Sequence, residues 1–87
     1  MKLSITLQEE IVKFLISLPN IEDNQNQRAL IASAGLDTSL QGQIRFEGSA
    51  IQFFQLLIPT LIRYGVLEDG RNALEAVLEA AKMYVGQ

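Results

Sequence analysis

The 87-residue chain contains no cysteine and no histidine. The first absence removes any disulfide framework, thiol nucleophile or thiolate metal site. The second removes the usual general base at neutral pH and the commonest zinc ligand. Charge is scarce as well, at 20% of residues, and the net charge is −3. Seven Lys and Arg among ten Asp and Glu cannot supply the dense basic patch with which nucleic-acid binders displace counterions. Long apolar runs are also missing. The longest, Phe53 to Pro59, is interrupted by Gln55 and falls far short of the ~20 residues that span a bilayer. Near the start, one lysine precedes a polar stretch from Ser4 to Glu10, where a secretion signal requires an unbroken apolar segment. The expectation is a soluble, cytoplasmic chain, or one module of a longer cytoplasmic protein, without nucleic-acid or membrane partners. No catalytic residue, metal or cofactor is expected, and the chain does not read as an enzyme.

What is present is apolar and helical. Hydrophobic residues make up 48% of the chain, against only six glycines and two prolines. That balance suits an ordered chain, and its length suits a single domain over residues 1–87. Thr6 with Glu9 reads as a capping box opening a first helix to Leu18, whose inner face would carry Leu7, Ile11, Phe14, Leu15 and Leu18. Pro19 stops it, because the residue before a proline is pushed out of the α region. A polar segment, Asn20 to Gln27, leads into a second helix with Ala29, Leu30, Ile31 and Ala34, ended by Gly35.

Asp37 is placed to cap a short turn through Gln41, and Ile44 and Phe46 predict a packed connector of at most one helical turn. Ser49 with Gln52 forms a second capping box ahead of a helix from Ala50 to Tyr64. That helix is apolar almost all round, which predicts a central rod, and Pro59 within it predicts a kink. Gly65 ends it. Asp69 is then placed to cap a last helix, roughly Arg71 to Val85, with Leu74, Val77, Leu78, Ala81, Tyr84 and Val85 facing inward. Short connections and no strand pair predict an all-α, compact bundle of five or six helices.

Candidate chemistry is sparse. Glu75 and Glu79 lie one turn apart on an outer helix face, where a solvated surface near Lys82 is the simpler explanation than a metal or acid/base pair. The glycines stand singly at helix ends, unlike the clusters of phosphate-binding loops. Asp37-Thr38-Ser39-Leu40 resembles the Asp-Ser-Leu of acyl and peptidyl carrier proteins, which would make Ser39 a phosphopantetheine site. Thr38 breaks that motif, and the following Gln41 to Phe46 lacks the acidic helix of such carriers. The carrier reading stands as the alternative.

The surface is the more informative part. Ile16, Leu56 and Met83 fall off the inner stripes of their helices. A chain this small buries only about 60–65% of its unfolded surface, so some apolar groups must face out. Scattered, they mean nothing; clustered, they mark a binding face. Arg45, Glu47, Arg63, Glu68, Asp69 and Arg71 lie near helix ends or in connectors with opposite signs, a pattern suited to head-to-tail contact between related domains.

A family resemblance joins these features. Gly48-Ser49-Ala50 with Phe53-Phe54, Leu57-Ile58 and Leu61 is similar to the effector-associated, or bacterial death-like, domains of bacterial conflict systems. So are Tyr64 to Arg71, Ala73-Leu74, Val77-Leu78-Glu79 and Val85-Gly86, with Leu18-Pro19, Leu36 and Ile44 upstream. The resemblance implies a death-fold-like bundle acting as a non-enzymatic adaptor. Its implied partners are like helical domains, met homotypically in oligomers or filaments. Through them a sensor or STAND ATPase is coupled to a caspase-like or CHAT protease, or to another effector, in defence or programmed cell death.

Overall fold

The computed structural model describes residues 4–85, with side chains through Tyr84. Five helices follow one another: α1 (Ile5–Ile16), α2 (Asn24–Ala34), α3 (Thr38–Gln41), α4 (Ala50–Tyr64) and α5 (Ala73–Val85). No strand forms among the described residues; a single antiparallel bridge pairs Val66 with Asn72 in the α4–α5 turn. The fold is all-α. Its radius of gyration, 11.9 Å, equals the ~12 Å of a well-packed chain of this length.

Helix starts depend on which oxygen reaches the free N–H groups first. Ser4, rather than Thr6, caps α1, its hydroxyl accepting from the Leu7 N–H at 3.1 Å. Thr6 therefore lies inside the first turn, and the expected Thr6–Glu9 box does not form. Asp23 starts α2 within the segment read as a polar lead-in. There Asn26 donates to the Asn20 carbonyl and buried Gln27 to the Ile21 carbonyl, so these polar side chains tie down the α1–α2 turn. The Ser49–Gln52 capping box on α4 forms as predicted. Gly35 and Gly65 end α2 and α4 at φ +68° and +84°, where a side-chain-bearing residue is strained. Asn72, rather than Asp69, caps α5 by accepting from the N–H groups of Leu74 and Glu75.

Packing runs α2 on α5, α5 on α4, and α4 on α1. The inner face of α5 is lined by Ala73, Ala76, Ala80 and Ala81 beside Leu74 and Val77. Small side chains there let neighbouring helix axes approach closely. Leu78 and Tyr84 are half-buried on its flanks, and the Tyr84 hydroxyl donates to the Pro19 carbonyl at 2.7 Å. The inward placement expected for Val85 lies outside the described side chains.

Two expectations about helix faces are corrected. On α1 the buried residues are Val12 and Leu15, with Ile11 and Ile16 half-buried, while Leu7 and Phe14 are 42% and 37% exposed. The face is turned by nearly one residue step, ~100°, and Ile16 belongs to the core edge instead of the outside. On α4, Ala50, Phe53, Phe54, Leu57, Ile58 and Leu61 are buried, but Ile51 and Leu56 are not. The helix is two-sided, and its outer face is open. It runs unbroken through Pro59, which lies on that outer face. The Ile44–Phe46 connector is packed, as expected, but contains no helical turn. Phe46 stacks on Phe53, with centroids 5.2 Å apart, and Phe53 meets Phe54 edge-on at 4.9 Å.

Phe54 is fully buried at the centre of this cluster. Phe54→Ala is expected to lower stability by about 3–5 kcal/mol, measured by chemical denaturation. A midpoint shift worth under about 1 kcal/mol contradicts the assignment.

Candidate interaction surfaces

The first polar cluster joins three segments. Asp37 precedes α3, yet its carboxylate makes no cap there. Instead Oδ2 accepts from the Tyr64 hydroxyl at 2.8 Å and from the Glu68 N–H at 3.0 Å. With its proton directed to Asp37, the Tyr64 oxygen is left to accept from Ser39 Oγ at 2.9 Å. The hydroxyl considered for a prosthetic arm is therefore engaged in holding α3 to the end of α4. Glu68 contributes its backbone to this cluster.

Next to it, Asp69 and Arg71 form a local clasp. Asp69 accepts from the Arg71 N–H at 3.0 Å and from Arg71 Nε at 2.8 Å. These bonds to the Arg71 backbone and side chain hold the Asp69 carboxyl below its ordinary value of 3.8. Arg71 Nη2 reaches on to the Gly35 carbonyl at the end of α2, 3.2 Å away. A Cβ at Gly35 would sit 3.1 Å from that nitrogen, so the bare backbone makes room for the guanidinium. Arg71, placed by sequence among the interface residues, serves the fold as well, and its reversal would not be a clean surface change.

The remaining charges face solvent. Arg45 and Glu47 pair loosely at 3.8 Å, with 83% and 70% of their side chains exposed. Arg45 lines an open cleft between the 43–47 connector and α4, together with Leu56, Thr60 and Arg63. The structure thus separates the six sequence-selected residues into two groups: Arg45 and Arg63 at the cleft, with Glu47 loosely paired to Arg45, and Glu68, Asp69 and Arg71 at the α4–α5 turn. Arg28, which sequence reading did not select, lies over the Phe46 ring at 4.4 Å on the far side of the connector and adds a third cation there. No spacing rule links Arg28 to Phe46, because they meet only in the fold.

The outward apolar residues do not merge into one patch. Leu56 is 68% exposed on α4 and Met83 73% exposed on α5. Ile5 and Ile51 line a separate groove between α1 and α4, with Ile16 at its wall. Glu75 and Glu79 are exposed on α5 beside Met83. Among the described residues no group of three or more His, Cys, Asp or Glu could hold a metal ion. No described helix is long and apolar enough to cross a membrane.

Asp37→Ala leaves the Glu68 N–H and the Tyr64 hydroxyl without their acceptor and is expected to cost about 1.5–3 kcal/mol in chemical denaturation, with Ser39→Ala costing less. Equal stabilities for Asp37→Ala and the parent chain would contradict the tie. Because the Asp69 pKa is depressed on folding, its contribution is present above pH 3.8 and lost as pH falls through the lower folded value. A carboxyl-carbon NMR titration is expected to place the Asp69 midpoint below the ordinary value of 3.8; a midpoint at or above that value contradicts the clasp.

No curated protein and no solved structure matches the chain. A family model does, described as effector-associated domain 8, and it matches residues 6–87. That span takes in all of α2 to α5 and all but the first residue of α1. Effector-associated domains are non-catalytic accessory domains. The helical bundle, with its pattern of caps, glycines and apolar spacings, belongs to the effector-associated domain 8 family.

Proposed function

We propose that this domain is a non-enzymatic cytoplasmic adaptor that recruits an effector by homotypic contact with like helical domains. In this reading one copy is attached to, or works beside, a sensor or STAND ATPase. A related copy marks a caspase-like or CHAT protease, or another effector, in bacterial defence or programmed cell death. The observation that carries the proposal is the effector-associated family match along residues 6–87. The physical arrangement supports it: polar groups at the helix junctions are engaged in holding the bundle, while Arg45, Glu47 and Arg63 are left outward. An adaptor needs a firm core and a patterned exterior, and it needs no nucleophile or cofactor. Assembly of several copies raises the local concentration of whatever is attached to them. Family membership and the engaged Ser39 hydroxyl favour this reading over a carrier protein. Nucleic acid and membranes are not proposed as partners.

The test is light scattering over a concentration series, alone and mixed with like domains encoded by neighbouring genes. Concentration-dependent self-association, or a stable complex with a sibling domain, is expected. A particle that stays monomeric and ignores every sibling at high concentration overturns the proposal, as does phosphopantetheinylation of Ser39 seen by intact mass.

A further inference from the structure

The outer faces of α4 and α5 carry stripes that complement one another. On α5, Glu75, Glu79 and Met83 are exposed at i, i+4 and i+8 and so share one face over about 12 Å. The order along the helix is acid, acid, apolar. On α4, Leu56, Thr60 and Arg63 share a face over about 10 Å, and Arg45 lines the same cleft from the connector. The order here is apolar, then basic. Laid antiparallel, the two stripes match in length and in chemistry: Met83 meets Leu56, and Glu75 and Glu79 meet Arg63 and Arg45. The same alignment sets the positive N-terminal end of α5 beside the negative C-terminal end of α4.

We propose that this domain binds a second copy of itself head-to-tail, the outer face of α5 in one copy seating in the α4–connector cleft of the next. The inference rests on the homotypic reading above and names the two surfaces that meet. Within one chain α4 and α5 pack through their buried faces, so neither stripe can satisfy the other. Among the described residues Arg63, Glu75 and Glu79 have no ion partner, and Arg45 has only the loose, exposed contact to Glu47. Little is therefore lost when these charges turn to a neighbour. Lys82, three residues from Glu79 at the edge of the stripe, lines the α1–α5 cleft with Glu10 and forms no ion pair with either acid among the described residues. Because the two surfaces differ, each contact leaves one of each sign free, and the assembly grows beyond two unless it closes into a ring.

Sedimentation velocity on the full chain tests the pairing, with circular dichroism confirming that each variant keeps its helicity. The parent chain is expected to self-associate, and R63E and E79K each to weaken that association about tenfold or more by placing like charges together. Mixing R63E with E79K is expected to restore association, since the unaltered surfaces of the two variants form the parent contact and the two reversed surfaces also carry opposite signs. The double variant R63E/E79K exchanges the signs and is expected to recover association. Should E79K lose helicity, E75K takes its place. If the parent chain associates and both single variants match it, or the mixture stays monomeric, the stripe pairing is overturned while homotypic recruitment stands. A parent chain that is monomeric but binds a sibling domain likewise overturns the self-pairing alone. Failure in both respects overturns both readings.

Discussion

Burial of the Phe53, Phe54, Leu57, Ile58 and Leu61 face of α4 sets the orientation of everything else in the bundle. Once that face is turned inward, toward α1 and α5, the 100° geometry of the helix puts Leu56, Pro59 and Arg63 outside. The connector follows from the same contact, because Phe46 stacks on Phe53 and so lays Arg45 along the edge of α4. The cleft surface that carries Leu56, Arg63 and Arg45 is thus a by-product of core packing.

The polar ties work differently. Asp37, Tyr64, Ser39 and the Glu68 backbone close the junction between α3 and the end of α4, and Arg71 joins the α4–α5 turn to the end of α2. These bonds span 25 to 36 positions in sequence, so each fixes the place of one segment relative to another. They also divide the charges by role. Arg71 and Asp69 are engaged in the fold, whereas Arg45 and Arg63, with Glu75 and Glu79 on the opposite helix, face solvent. In the proposed pairing most of these charges lie on regular helices, whose spacing is rigid, and Arg45 lies on the packed connector.

Much of the organisation was legible in the residues. The Ser49–Gln52 box, the ends at Gly35 and Gly65, and the full extent of α4 follow from local chemistry, since caps and left-handed glycines act within one turn. The family was legible too, from the same glycines and apolar spacings over the second half. The errors had a common physical source. Thr6, Asp37 and Asp69 are each sound cap residues, but another oxygen nearby, or a tertiary partner, claimed the position. Local rules say which residue can cap and do not say which one will.

The sequence by itself determined that the chain forms helices, where most of them end, and that it holds more apolar residues than a chain of this size can bury. Which apolar residues stayed outside was decided only by the tertiary structure. The α1 helix offers apolar side chains over most of its circumference, from Leu7 and Phe14 to Val12 and Ile16, and periodicity is satisfied by more than one rotation. Contact with α4 selected one of them. The pairing of Arg28 with Phe46 and of Asp37 with Tyr64 was decided in the same way, because contacts between distant residues depend on how helices dock, and docking is a property of whole surfaces.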